Sequence, residues 1–327
     1  MSDLTDAVLT ARRGRSREGR RPATPMERRE ARWGFAFISP WIVGFVLFWM
    51  IPMLASLVFS VLDFQLTDPD QTSFAGLGNW ERALSDPHTW SSLLVTLRFT
   101  LLFLPLSLAI ALGLALLLNS RYLRATAFFR LLFYAPSMIP LVAGVLIWQQ
   151  VLNPQTGWLN RLIDLTGYQA SGTSGLRWFD NPVLVLFAFS FIGLWGVGNA
   201  MMINLAGLQG IPTQLYEAAA IDGAGWWRRL RSITLPLLSP VMFYNLVIGG
   251  VLIMQYFVVP WVLFGATGHP EGGSRFLLVH FYQQAFVFGN MGYGAALAWF
   301  IFIVVAALTA LLFGTARYWV HYGSERS

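Results

Sequence analysis

The amino-acid sequence predicts an all-α polytopic membrane protein with six transmembrane helices. Composition is the first reason: 56% of the 327 residues are hydrophobic and only 12% are charged, whereas a soluble domain is about half apolar and about a quarter charged. The second is a recurrence of apolar runs long enough to cross a bilayer, which takes roughly 20 residues for about 30 Å of hydrocarbon. The third is the uneven placement of arginine, which gives those runs an orientation.

Residues 1–34 form a polar tail with nine arginines, from Arg12 to Arg32, against five acids. Such a segment has too little apolar surface to build a core, and arginine beside a first span holds that end in the cytoplasm. The apolar run that follows, from about Phe35 to Leu62, far exceeds the roughly 7–15-residue core of a secretory signal. It opens a membrane region covering 35–316, with candidate spans near 36–61, 93–118, 128–152, 183–206, 237–263 and 294–316. Pro52, Pro105, Pro136 and Pro140 fall inside these spans. Neighbouring groups can re-satisfy the carbonyls that proline frees, and such prolines mark kinks around a cavity. A second polar tail, 317–327, closes the chain.

With the N-terminus inside, the cytoplasmic segments are the tail, 119–130, 207–236 and the C-terminus. They carry 17 of the 22 arginines; the outer segments hold five, alongside eight acids. That bias places both termini in the cytoplasm. It also explains the net charge of +6 by topology rather than by a nucleic-acid partner.

The most informative cytoplasmic stretch is Tyr216–Pro240, YEAAAIDGAGWWRRLRSITLPLLSP. Glu217 and the alanines 218–220 favour a helix, and Gly223 and Gly225 are expected to stop it and let the chain reverse. Three successive alanines leave one side of that helix nearly flat, so another protein surface can approach closely. A basic aromatic turn then leads into Leu235-Pro236.

In this pattern Glu217, Ala218, Ala219, Asp222, Gly223, Ala224, Ile233, Leu235 and Pro236 sit in register with a known one. The stretch resembles the EAA loop, the segment through which permease subunits of binding-protein-dependent ABC importers meet their ATPase. Other stretches resemble the carbohydrate branch of that family: FAGLGNWERALSDPHTW at 74–90, the third span and its sequel at 128–160, AGLQGIPTQLYEAAAIDGA at 206–224, and MGYGAALAWFIF at 291–302. The resemblance covers about 33–316 and points to the first of two paired permeases, as in maltose and glycerol-3-phosphate importers. Val95-Thr96 stands where the family commonly has Asn-Thr, and GATGHPEGGS at 265–274 is an irregular form of a Gly-Pro-rich loop.

The resemblance implies a type I importer permease fold in a bacterial cytoplasmic membrane. It implies a second permease subunit, an ATPase dimer docked on the EAA-like loop and an extracytoplasmic solute-binding protein, besides membrane lipid. ATP and Mg²⁺ belong on the partner ATPase. In agreement, the chain has no lysine, and a Walker A loop needs one to reach the phosphates. No cofactor or metal is expected on this chain: cysteine is absent, and His88, His269, His280 and His321 form no ligand pair and read as loop or interface residues.

No enzyme constellation is visible. The spans lack acids, which argues against a proton-coupled secondary transporter, the main competing class; an ABC permease for a non-sugar solute is the other alternative. Arg98, near the outer end of its span, can snorkel to the interface. The polar side chains inside the spans are amides and aromatics, which suit sugar hydroxyls and the apolar faces of sugar rings. Trp195, Asn199, Asn245, Gln255 and Tyr256 are the candidate path residues, with helix–helix adhesion as the competing role. Trp195 falls near mid-bilayer, and Gln255 and Tyr256 in its outer half, at 1.5 Å per residue.

Overall fold

The computed structural model describes residues 24–120, 122–167 and 176–321. Most of the N-terminal tail, Arg121 and the last six residues lie outside the described residues. By contact the chain divides into two units, Met1–Ser56 and Leu57–Ser327.

At the start of the described residues, α1 (Pro25–Phe45) runs through one π turn, Val46–Met50, into the helix Ile51–Phe59. The extra residue of that turn precedes Pro52, whose ring would otherwise press on the carbonyl four residues back. Trp33, Phe37, Trp41, Phe48 and Trp49 are all exposed on this helix, an apolar surface suited to lipid or to another membrane helix.

In the second unit, a two-residue ribbon pairs β1 (Leu62–Asp63) antiparallel with β2 (Ser73–Phe74). The Nδ2 of Asn79 holds this ribbon by donating to the carbonyls of Ser60 and Leu62 at 3.2 and 2.8 Å. α2 (Pro87–Leu118) is a helix of 32 residues. It begins six residues before the span expected at 93, because Asp86 caps it, accepting from the His88 N–H at 2.8 Å, and Pro87 supplies a pre-set first position. Pro105 sits inside it without ending it.

The third and fourth spans are broken rather than continuous. α3 (Thr126–Tyr134) and the 3₁₀ turn Ala135–Met138 meet α4 (Leu141–Val151) at 101°, and α5 (Leu184–Leu194) meets α6 (Gly198–Gln209) at 53°. The first break has an explicit cause: Pro140 forces Ile139 into extended backbone, ψ 131°. Counting each bent pair as one span, the described residues contain six candidate membrane crossings.

The fifth begins at α8 (Trp226–Arg229), passes a π turn at Leu230–Thr234 and continues as α9 (Leu235–Met254); α7 (Thr213–Ile221) precedes it. The expected basic aromatic turn is therefore itself helical. Pro240 frees the carbonyl of Pro236, and the Ser239 hydroxyl occupies it at 2.7 Å. α10 (Leu277–Tyr282) and α11 (Met291–Trp319) complete the chain.

Helix contacts are made through small residues, as expected where lipid removes the hydrophobic drive between helices. Ala111 and Ala115 of α2 are fully buried in one cluster with Met201 and Leu205 of α6. A methyl on Gly207 would meet Leu238 Cδ1 at 2.7 Å, and one on Gly249 would meet Leu104 Cδ1 at 2.8 Å.

Candidate functional site

α7 carries Glu217, Ala218 and Ala219. It ends in a paired-bond cap: the Ala224 N–H donates to Ala219 O at 2.8 Å and the Gly223 N–H to Ala220 O at 3.1 Å. This six-to-one and five-to-two arrangement needs a left-handed residue between, and Gly223 has φ +73°. The helix is anchored from behind. The Tyr216 hydroxyl lies 3.0 Å from that of Thr234, and Tyr216 and Ile233 pack against the buried cluster that includes Leu205, Leu208, Ile211 and Leu238. Leu235 and Pro236, just beyond Thr234, are half-buried.

Away from this anchor, Glu217, Ala218, Ala220, Asp222 and Gly223 are exposed, with Ala219 and Ala224 half-buried. Ile221 is 87% and Trp227 75% exposed. This short helix presents flat alanines, a large aliphatic side chain and a carboxylate that has no ion-pair partner among the described residues. Tyr216, Ile221, Thr234 and Trp227 were not singled out from the sequence. The available signal was large apolar side chains in a segment that the arginine pattern places in water.

The five path candidates separate by geometry. Trp195 is half-buried at the break between α5 and α6, edge-on to Trp148 at 6.1 Å and against Gly144. Asn199 is exposed one turn later, and Gln255 is exposed at the C-cap of α9. Asn245 is buried, and its Nδ2 donates to Asn204 Oδ1 at 3.2 Å. The Tyr256 ring lies within 4.8–5.9 Å of Phe99, Phe276 and Phe189, its hydroxyl buried without a partner among the described residues. Asn245 and the Tyr256 hydroxyl are thus buried within this chain, while Trp195, Asn199 and Gln255 retain free surface.

At the other end of α2 is a polar cluster that local sequence reading missed. His280 is 1% exposed, with Nε2 3.5 Å from Asp86 Oδ2. The Tyr293 hydroxyl donates to the same oxygen at 2.8 Å, and Arg82 stacks over the Tyr293 ring at 4.2 Å. Burial lowers the His280 pKa below its usual 6.5, overcoming the opposing pull of Asp86 and aided by Arg275 and His88. Burial would raise Asp86, but the His88 N–H, the Tyr293 hydroxyl and the two histidines hold it below 3.8. The expectation of a loop or interface role thus fails for His280, because residues distant in sequence fold around it.

Broken membrane helices and a capped, Ala-rich helix exposed at one end are the arrangement of a transport permease. The chain belongs to the family of binding-protein-dependent transport system inner membrane components, whose pattern matches residues 103–321. It is 37% identical over 295 residues to the probable ABC transporter permease protein YesP of Bacillus subtilis, covering 89% of this chain and 93% of that one. It is 30% identical over 291 residues to the trehalose/maltose transport system permease protein MalF of Thermococcus litoralis, covering 89% and 95%. Its fold matches a chain of a bacterial alginate ABC transporter solved with an alginate pentasaccharide-bound periplasmic protein. There the TM-score is 0.74 at 19% identity, over 88% of this chain and 95% of that chain.

Proposed function

We propose that this chain is a membrane permease subunit of an ATP-driven importer that carries a saccharide delivered by a solute-binding protein. The observation that carries the reading is the exposed α7, capped by left-handed Gly223 and pinned through Tyr216 to the helix that becomes the fifth span. Force applied to α7 has a rigid route into the membrane. A saccharide cargo is favoured by the relatives, among them permeases named for trehalose/maltose, arabinooligosaccharides and lactose.

On this reading α7 docks on an ATPase dimer, which holds the ATP and Mg²⁺, and the arginine-rich segments and both termini face the cytoplasm of a bacterium. A second permease completes the path, since six spans do not easily enclose a sugar alone. Closure of the ATPases then moves α7 and with it α9, opening the path first outward and later inward. Trp195, Asn199 and Gln255 supply the aromatic face and amides along that path.

Co-purification tests the assembly: the tagged chain is expected to bring down an ATPase and a second permease. The purified complex is expected to hydrolyse ATP faster with a sugar-loaded binding protein. A chain that purifies alone and moves its solute with an ion gradient in place of ATP would overturn the proposal.

A further inference from the structure

A cavity of about 970 Å³ opens at the end of the second unit opposite α7. That volume is at the upper end for a small-molecule site, which runs about 300–1,000 Å³. Its walls come from the first turns of α2, the start of α5 and the loop 267–275, and its ionisable lining is Arg98, Arg275, His88, His269 and Glu271. The ion pairs of the described residues are Arg177–Asp180, His269–Asp180 and His280–Asp86. Neither Arg98 nor Arg275 is among them, and Glu271 pairs with neither.

Arg275 is held in place. Its Nη1 donates to His88 Nδ1 at 2.8 Å, while its Nε is buried with no partner. The loop closes around it through glycine: a methyl on Gly268 would lie 2.9 Å from Arg275 Nε, and one on Gly273 would lie 2.7 Å from Pro182 Cα. Arg98, exposed on α2, lines the same cavity as Leu186. The buried Nε of Arg275 has given up water without gaining a partner among the described residues, and a planar two-oxygen anion is the group that best replaces that water on a guanidinium.

We propose that this cavity recognises the carboxylate of an acidic saccharide, with Arg98 as the binding cation and Arg275 as its fixed companion. The inference rests on the transport reading above, which puts this end outside the membrane where cargo arrives. It assigns Arg98 a role other than snorkelling to lipid, and it narrows the cargo from saccharides in general to those bearing a uronate.

The test uses the assembled transporter in proteoliposomes with its own binding protein and ATP on the α7 side. It is offered a labelled di-uronate, the methyl ester of the same disaccharide and a panel of neutral disaccharides. The expected result is uptake of the di-uronate over its ester, and a fall of that preference by about tenfold or more in Arg98→Gln, since charge-assisted pairs are the strong ones. Arg98→Lys, which keeps the charge but loses the fork, is expected to fall between; this order separates a lost contact from a misfolded protein. Equal uptake of ester and acid, or uptake of neutral disaccharides alone, overturns the carboxylate site and leaves the saccharide permease standing. ATP hydrolysis without uptake of any sugar overturns both. If Arg98→Gln instead abolishes stimulation by the binding protein, the cation meets acidic side chains of that protein and the proposal fails. It fails equally if the defect appears only in vesicles containing anionic lipid, because the ligand is then a headgroup.

Discussion

The hydroxyl of Tyr216 on α7 lies 3.0 Å from that of Thr234, the last residue before α9. This is the one side-chain hydrogen bond that ties the exposed helix to the membrane span among the described residues. Removing it in Tyr216→Phe keeps the ring against its buried cluster and is expected to cost only about 0.5–1.5 kcal/mol. The local consequence is larger than the global one. Backbone amides of 213–221 are expected to exchange faster in the purified protein while those of α9 stay protected. Unchanged exchange in α7 would show that apolar packing alone holds it.

The Asn245–Asn204 pair predicts non-additivity. Each amide is buried, at 7% and 2% exposure, so replacing one by leucine strands the other, at a cost of about 1–3 kcal/mol. The double variant Asn204→Leu with Asn245→Leu strands neither and is expected to be more stable than the two single losses predict. A double-mutant cycle of thermal unfolding in detergent measures this. A strictly additive result would mean that the 3.2 Å contact carries no coupling.

The cluster at Asp86 and His280 predicts acid sensitivity. The folded pKa of His280 lies below 6.5, so below that pH the unfolded chain takes up a proton that the folded chain refuses. Stability must then fall as pH drops through the usual histidine range. The depressed Asp86 acts in the same direction, but its contribution is lost only as pH falls through a value below 3.8, under the range to be scanned. Thermal midpoints between about pH 8 and about pH 5 are expected to drop more steeply in the native protein than in His280→Asn. Parallel curves would assign the acid dependence elsewhere.

Much of this architecture was legible because it depends on local composition. Apolar run length gave the spans, and the EAA pattern gave α7 with its glycine stop. Pro140 announced the 101° break. The 53° break at Trp195–Val197 has no proline to announce it. The backbone packs closely just after it, where a methyl on Gly198 would meet the Phe133 carbonyl at 2.8 Å. Depth and chemistry mark Tyr256 but do not say which way its ring points; its neighbours Phe99, Phe189 and Phe276 come from three other segments. Asp86 and His280 are likewise far apart in sequence, so only the packing of α10 beside α2 makes them one site.

Gly223 provides the sharpest test of the coupling role proposed for α7. Its φ of +73° asks for a residue tolerant of the left-handed region, and a methyl added there would meet nothing within 4 Å. Strain in the isolated chain is therefore purely conformational, about 1–2 kcal/mol for alanine and less for asparagine or aspartate, which visit this region more readily. Backbone strain alone thus ranks Gly223→Ala as the worst of the three. An ATPase surface closed over Gly223 ranks them differently, because aspartate then brings a charge into a desolvated contact. The expected order of lost substrate-stimulated ATP hydrolysis is Asp, then Ala, then Asn, with all three variants inserted in the membrane at native levels. Glu217→Lys is expected to fall with Asp, and Glu217→Ala to be mild, since an exposed ion pair contributes only about 0–1 kcal/mol. Gly223→Asp behaving like Gly223→Asn would show that nothing covers this turn, and would move the ATPase contact away from α7.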